Sequence, residues 1–287
     1  MREATAPAAA AAENPYQPHR AKLVKLEPFT ADTALLRLEF LDRERGERFT
    51  YRPGQFIQVS ALGTGEAPIS LCSSPTRPGY LEICVRRVGR VTQALHRLSP
   101  GALVGVRGPY GNGFPVEKMR GKDLLLIAGG LGMAPLRSLL WYALDRRGDF
   151  GRVTLLYGAR TPRDVLFRGE LQELENRSDV RILITVDRNE EGGWPGRVGV
   201  VTTLFEGLEV DSARTVAVIC VPPVAFKFVV PKLLERNFKG EQILMSLERK
   251  MQCGIGKCGN CNVGSKHTCL DGPVFTYWDA MNVPGMI

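Results

Sequence analysis

Four cysteines near the C-terminus, Cys253, Cys258, Cys261 and Cys269, are spaced C-x4-C-x2-C-x7-C. The opening of that pattern is the plant-type 2Fe-2S spacing, with a shortened gap to the last ligand. Gly254, Gly256 and Gly259 fall between them. A loop wrapped around a cluster needs glycines because its backbone must take positive φ and turn N–H groups toward sulfur. Two other readings stay open: a zinc site, which more often pairs two C-x2-C knuckles, and buried thiols that only pack. A 2Fe-2S centre moves one electron at a time, so the rest of the chain is expected to supply or remove those electrons.

The chain that must position this loop has 287 residues, enough for two domains, while a terminal element of about 40 residues would need its metal to hold a core. Its 44% hydrophobic and 24% charged content are those of an ordinary globular protein. No apolar run approaches the roughly 18–20 residues of a membrane span. The Ala-rich stretch 7–12 is too short and too weakly flanked by positive charge for a secretory signal, so residues 1–19 are expected to form a disordered tail. Four of the seven cysteines share one motif, which fits a reducing compartment better than a disulfide framework and places the protein in the cytoplasm. The net charge of +8 could favour anionic partners, but no Lys/Arg run interleaved with aromatics points to nucleic acid.

Upstream, residues 22–26, 34–40, 56–60, 69–73, 81–87 and 103–107 read as short strands separated by Gly, Pro and charged turns. Such strands without long helices predict a small closed or nearly closed β barrel. One short helix, expected to begin near Thr92 as N-cap and to end at Pro100-Gly101, interrupts them. The phrase Arg87-Val-Gly-Arg-Val-Thr92 would place a glycine and a hydroxyl at a helix start, where N–H groups and the dipole can hold a phosphate. An ordinary capped helix is the competing reading.

From Asp123 the pattern changes. The apolar run 124–128 reads as a strand buried on both faces and leads directly into Gly129, Gly130, Leu131, Gly132, Met133, Ala134 and Pro135, followed by leucines at helical spacing. Strand, glycine turn and helix is the arrangement that brings backbone N–H groups to a pyrophosphate, and Gly130 and Gly132 are the expected points of close approach. The alternation continues with strands at 153–157, 181–186, 215–221 and 242–246, with helices through Leu171 and Leu174, near 201–205 and up to about 238. This predicts a doubly wound α/β domain with a parallel sheet. Gly158, Ala159, Arg160, Asp187, Cys220 and Pro222 all follow strands and so share the ligand-binding edge of that sheet.

Barrel, dinucleotide-type α/β domain and C-terminal cysteine loop together resemble the ferredoxin-reductase family. The resemblance is to its branch with a C-terminal 2Fe-2S cluster: the gamma (diaphorase) subunits of cytoplasmic NiFe hydrogenases and sulfhydrogenases, and the electron-transfer subunit of dihydroorotate dehydrogenase. It spans about residues 20 to 270. Ala67-Pro68-Ile69-Ser70 is similar to the family's flavin motif and Arg86 to Thr92 to its second flavin segment. Gly108-Pro-Tyr-Gly-Asn-Gly-Phe-Pro115 resembles the barrel exit of the hydrogenase-type subunits, and Tyr157-Gly-Ala-Arg-Thr-Pro162 the nicotinamide-domain turn.

The resemblance implies FAD at Ala67, Pro68, Ile69, Ser70, Cys84, Val85, Arg86, Arg87, Gly89, Val91 and Thr92. It implies NAD(P) along residues 129–135, 158–160, 187, 220 and 222, and a 2Fe-2S cluster on the four cysteines. The implied divisions are a FAD barrel at 20–115, an NAD(P) domain at 116–247 and a cluster segment at 248–287. Two departures stand out. Ala67 occupies a position where many members have the arginine that meets the flavin phosphate, leaving Arg86, Arg87, Arg90 and the Thr92 helix start to supply that charge. Val221, in Cys220-Val221-Pro222, stands where many members have glycine, which would put a bulkier residue near the nicotinamide.

The implied activity is electron transfer, since a hydride carries two electrons and the cluster takes one, and a flavin that can hold either number must stand between them. No side chain need act as catalytic acid or base, although Cys220 could lie near the nicotinamide. The expected partners are the iron–sulfur and catalytic subunits of a larger redox complex, hydrogenase-type in preference to dihydroorotate-type because of residues 108–115. A stand-alone reductase and a zinc-holding nucleotide-binding module are the alternatives. Phe275, Tyr277 and Trp278 are too many aromatics for a solvated end, so the tail is expected to cover the cluster or meet the partner.

Overall fold

The computed structural model describes residues 14–190 and 192–286. Its first part is built from β1 (His19–Pro28), β2 (Thr33–Phe40), the short α1 (Arg43–Arg48), β3 (Phe56–Ala61), β4 (Gly65–Ser70), β5 (Leu81–Arg86), α2 (Arg90–His96) and β6 (Leu103–Tyr110). The strands form one antiparallel sheet in the order β4-β3-β6-β1-β2-β5. A single bridge between Leu71, just past β4, and Ile83 of β5 brings the two edges together and closes the barrel. Leu23, Leu36, Leu38, Ile57, Val59, Val104 and Val106 fill the interior, and Leu95 of α2 packs into it.

Three expectations change here. The strand expected at 69–73 lies upstream at Gly65–Ser70, because β3 turns back tightly and pairs Ser60 with Glu66 and Ile57 with Ile69. Pro68 is tolerated there because β4 is the sheet's terminal strand. The helix expected to be capped by Thr92 starts earlier, after Gly89, and Thr92 sits in its first turn with Oγ1 accepting the N–H groups of Val88 (3.0 Å) and Gly89 (2.9 Å). Of the expected disordered tail, residues 1–13 lie outside the described residues. Residues 14–18 lie against the barrel, where the Pro15 carbonyl accepts from Arg107 (3.0 Å) and Tyr110 (3.1 Å), and His19 already belongs to β1.

After α3 (Val116–Met119) the chain enters β7 (Asp123–Gly129), α4 (Met133–Asp145), β8 (Val153–Ala159), α5 (Arg168–Glu175), β9 (Val180–Val186), β10 (Arg197–Val198), β11 (Thr215–Cys220), α6 (Pro223–Leu234) and β12 (Ile243–Ser246). The strand order is β10-β9-β8-β7-β11-β12-β15, parallel except at its last edge. The central β7 is almost wholly buried, as an all-apolar parallel strand must be. The helix expected near 201–205 is a short 3-10 turn at Val201–Phe205, where two threonines and a valine disfavour a full α turn.

The C-terminal segment carries a small hairpin, β13 (Asn262–Val263) with β14 (Lys266–His267), and then returns through β15 (Val274–Thr276) and α7 (Tyr277–Asn282). β15 pairs antiparallel with β12, Met245 opposite Phe275. The aromatic tail therefore does not cover the cysteine loop. Phe275 is buried in the core on one face of the α/β sheet, Tyr277 packs against that core, and Trp278 is exposed. Burying Phe275 beside β12 completes a sheet edge that would otherwise be open.

Barrel and α/β domain are joined by a buried ionic network. Arg137 of α4 donates to Glu82 of β5 (2.8 Å) and to Glu170 of α5 (2.6 Å), while Arg37 of β2 donates to the other Glu82 oxygen (2.7 Å). Ser138 donates to the Ser73 carbonyl at 2.6 Å. These bonds fix the angle at which the two units meet, and so the width of the cleft between them. Among the described residues no helix is long and apolar enough to cross a membrane.

Candidate functional site

The cleft between the two units has a volume of about 480 Å³, within the usual range for a cofactor site. Its barrel wall is Phe56, Ala67, Pro68, Ile69, Ser70, Cys84, Arg86, Val88 and Thr92, and its α/β wall is Leu131, Ala134, Pro135 and Cys220. The floor is the linker Ser246 to Arg249 with Met251, two residues before the first cysteine of the loop. β4 and β5 deliver the barrel residues because they are the two strands that meet at the closure, and β7 and β11 deliver theirs at adjacent carboxyl ends.

Other expected residues stand elsewhere. Val85 and Met133 are fully buried core side chains, and Val91 packs on the barrel core, so they could meet a ligand only through backbone. Arg87 reaches away to the Ala31 carbonyl (3.2 Å) and Arg90 to that of Thr64 (3.1 Å). Arg86 alone of the expected phosphate-binding arginines lines the cleft; Asp32 lies 3.6 Å from it. A larger cavity of about 970 Å³ elsewhere on the seam, lined by Lys25, Arg37, Arg163, Arg168 and Glu170 among others, contains none of the expected flavin or cysteine residues.

The glycine turn after β7 divides its labour. Gly130 has φ +53° and a Cβ there would meet nothing within 4 Å, so this position faces open space beside the strand ends. Gly132 is different. A Cβ would lie 2.6 Å from the Cys220 carbonyl carbon, and one on Gly129 would lie 3.0 Å from Pro222. Both serve close packing of the turn on β11 and the residues after it. Val221 is buried in the core against Gly129 and does not line this cleft. Gly158 likewise packs on Val201, at 2.9 Å from its Cβ.

Arg160 and Asp187 stay together at the sheet edge, where the Asp187 N–H donates to the Ala159 carbonyl (2.9 Å) and Arg160 pairs with Asp164 (3.0 Å). Partial burial raises the Asp187 carboxyl, against the pull of Arg188 and Arg160. Burial also pushes the Cys84 and Cys220 thiols up to about 12, so neither is an ionised base near neutrality.

The cysteine loop lies on the barrel, with Cys261 and Cys269 packed against Phe56 and Tyr110. Gly254, Gly256 and Gly259 all have φ between +71° and +78°, the conformation for which glycine is suited. A Cβ on Gly254 would lie 2.9 Å from the Tyr110 ring, and one on Gly256 2.9 Å from Leu270 Cγ. N–H groups point at sulfur: Lys257 and Cys258 donate to Cys253 Sγ at 3.3 and 3.4 Å, and Gly256 to Cys269 Sγ at 3.1 Å. Burial works against ionisation of Cys253, but the N–H groups of Ile255, Cys258 and Lys257 prevail and bring it down to about 7. Burial and the neighbouring Cys261 push Cys269 up to about 12.

Cys253 interacts with Cys258, and Cys269 with both Cys261 and Cys253. Among the described residues no three ligands converge on one point. Cys258 is exposed while Cys261 and Cys269 are buried against Phe56, Tyr110 and Met251. Phe56 and Met251 also line the cleft between the two units, so Cys261 and Cys269 lie behind its wall.

Several residues that build this site were not among the expected site residues, although Asn112 lies within the 108–115 segment. Gln58 and Arg107 donate to the carbonyls of Gln252 and Cys253, both at 3.2 Å. Asn112 closes the other end of the loop: its side chain bonds the Asp271 and Val274 carbonyls (2.8 and 2.7 Å) and the Val274 N–H (3.1 Å). The fully buried Gln58 in an otherwise apolar strand was the one available signal of such a role.

Comparison with known proteins agrees with this architecture. Residues 20–114 match the oxidoreductase FAD-binding domain, 126–230 the oxidoreductase NAD-binding domain, and 248–280 the iron-sulfur cluster binding domain of dihydroorotate dehydrogenase B. The chain is 47% identical to sulfhydrogenase 2 subunit gamma of Pyrococcus furiosus, over 96% of this chain and 100% of that one. It is 37% identical to a probable dihydroorotate dehydrogenase B (NAD(+)) electron transfer subunit of Thermococcus kodakarensis, over 80% of this chain and 86% of that one. A solved NADH-dependent reduced ferredoxin-NADP oxidoreductase structure, studied for flavin-based electron bifurcation, superposes with a TM-score of 0.72 at 25% identity, covering 90% of this chain and 88% of that one.

FAD, NAD(P) and an iron–sulfur cluster are thus the cofactors of this oxidoreductase subunit. The chain belongs to the ferredoxin-reductase-like family of FAD- and NAD(P)-binding electron-transfer subunits with a C-terminal iron–sulfur segment.

Proposed function

We propose that the chain is the diaphorase subunit of a multi-subunit redox complex whose partner is of the NiFe hydrogenase or sulfhydrogenase type, and that it works in the cytoplasm. One observation carries the electron-relay reading: a single cleft is walled by the flavin strands, by the carboxyl ends of β7 and β11, and by Met251 at the entrance to the cysteine loop. When bound, the nucleotide and FAD exchange electrons in pairs and the 2Fe-2S cluster passes them singly.

The residues supply placement. Ala67 to Ser70 and Cys84 present a flat apolar wall for an aromatic ring system, and Arg86 with the first turn of α2 faces its phosphates. Gly130 would leave room for the nucleotide pyrophosphate, and Cys220 would meet the nicotinamide as a neutral thiol. Phe56 and Met251 lie between the cleft and Cys261 and Cys269 and would keep water from that interval. Cys258, the exposed cysteine of the four, would hold the cluster on the side open to a partner. Identity to the sulfhydrogenase gamma subunit over nearly the whole chain favours that type of partner over the dihydroorotate type.

The test is anaerobic reduction of the purified chain with NADH and with NADPH, following flavin bleaching by absorbance and the cluster by EPR, together with identification of the subunits that co-purify. Bleaching followed by a 2Fe-2S signal, with hydrogenase-type subunits in the complex, supports the proposal. Bleaching without any cluster signal refutes the relay, and purification as a single chain in full activity refutes the complex.

A further inference from the structure

Arg107 of β6 is only 3% exposed, although arginine is seldom fully buried unless paired. Its Nε and Nη2 bond the Glu66 carboxylate at 2.9 and 2.7 Å. Its Nη1 donates to Tyr110 Oη (2.9 Å), the Pro15 carbonyl (3.0 Å) and the Cys253 carbonyl (3.2 Å). On the neighbouring strand Gln58, directly opposite Arg107 in the β3–β6 ladder, donates Nε2 to the Gln252 carbonyl at 3.2 Å. Gln58 Oε1 is buried without a partner. Two buried donors of the barrel therefore hold consecutive peptide carbonyls at the start of the cysteine loop, the second belonging to a cysteine ligand. Glu66, which anchors Arg107, immediately precedes Ala67 on the flavin strand.

We propose that Gln58 and Arg107 are positioning residues that clamp the first cluster ligand to the flavin barrel, and that the balance of charge in the Arg107–Glu66 pair sets the reduction potential of the cluster. The proposal rests on the iron–sulfur reading of the cysteine loop. Three features support it over a purely structural role. Arg107 is buried but Glu66 is open to solvent, and an ion pair with a solvated partner is a weak source of stability. An amide with an orphaned oxygen is a costly way to fill a strand position unless its N–H is needed. Hydrogen bonds and charge next to a ligand tune the electron affinity of a metal centre, and reduction adds negative charge that a neighbouring cation stabilises. The clamp also ties the flavin strand and the cluster ligand to one guanidinium, so the two centres keep a fixed separation.

The test is a redox titration of the complete, FAD- and cluster-loaded protein, monitored by EPR. Wild-type protein lacking iron, acid-labile sulfide and a 2Fe-2S signal would defeat the iron–sulfur reading itself. With the cluster present, Arg107→Gln is expected to lower its midpoint potential, because Glu66 is left uncompensated. Glu66→Gln is expected to raise it, and the double variant to return it toward the wild-type value. Gln58→Leu, which changes no charge, is expected to leave the midpoint in place and to speed loss of the cluster to a chelator severalfold. Shifts of the same sign in the two single variants, or unchanged midpoints with an intact EPR signal, overturn the charge assignment; cluster loss at the wild-type rate in Gln58→Leu overturns the clamp. Should Arg107→Gln fail to fold, Glu66→Gln alone decides: an upward shift supports the proposal and an unchanged midpoint overturns it.

Discussion

Substituting Gly132 and Gly130 separately distinguishes a glycine that serves the fold from one that serves the nucleotide. At Gly132, which has an ordinary helical φ of −59°, the obstacle is space alone. A new Cβ would lie 2.6 Å from the Cys220 carbonyl carbon and 3.2 Å from its sulfur. The crowded group is backbone of β11, locked by parallel pairing to β7 on one side and β12 on the other, so it cannot rotate away. Overpacking costs about 1–3 kcal/mol, and a rigid neighbour puts Gly132→Ala near the upper end, about 3 kcal/mol. For a chain of this size that lowers the apparent Tm by roughly 6–12 °C. Because Cys220 lines the cleft, flavin content should fall with it.

At Gly130 the constraint is conformational, φ +53° with open space ahead. Asparagine tolerates that region well, so Gly130→Asn should leave Tm and the flavin spectrum near wild type. Its side chain would fill the space assigned to pyrophosphate, and losing a charge-assisted contact worth about 1.5–3 kcal/mol should raise KM for the nucleotide roughly tenfold or more. Differential scanning fluorimetry, FAD release and steady-state reduction of an artificial acceptor read all three quantities. A Gly132→Ala protein with wild-type Tm and flavin but a raised KM would refute this division of roles.

Further expectations follow from the same geometry. Arg86→Gln should weaken FAD retention roughly 10- to 100-fold, the effect of losing a charged phosphate contact, whereas Arg87→Gln should change it little because Arg87 bonds the Ala31 carbonyl instead; equal losses on gel filtration would refute the assignment. Cys258→Ser should abolish the cluster signal and electron delivery to the partner while flavin bleaching by NAD(P)H, measured by stopped flow, continues; unchanged turnover of the complex would place the cluster off the path. Arg137→Met should destabilise by about 3–5 kcal/mol, since it strands the buried Glu82 carboxylate with Arg37 alone; thermal melts check this. Desolvation opposes ionisation of Glu82, but Arg137 and Arg37 hold its carboxyl below the ordinary value of 4.5. Its contribution is therefore complete above that value and lost as pH falls through the depressed one, so Glu82→Gln should flatten the acid limb of Tm against pH.

The cysteine loop was legible in the sequence because its determinants are local. Ligand spacing and the glycines between ligands act within a few residues, and the same holds for the run 124–128 and the turn that follows it. Hydrophobic pattern was enough for a barrel followed by a parallel sheet, since strands of β7 type must be covered on both faces. The order of the strands and the closure through Leu71 and Ile83 depend on pairings between distant segments.

The roles that changed are those set by such distant neighbours. Gly132 is a packing residue because the Cys220 carbonyl lies against it, 88 residues away by the difference of their numbers. Phe275 leaves the cluster for the core because β12 offered an unpaired edge. Arg87 and Arg86 are adjacent and chemically identical, yet only Arg86, the last residue of β5, lines the cleft, while Arg87 just past the strand is drawn to the Ala31 carbonyl. Arg107 and Gln58 carry no motif and Asn112 lies in one read for another reason, so only the tertiary structure reveals that a loop defined by its own spacing is held, peptide by peptide, from the barrel.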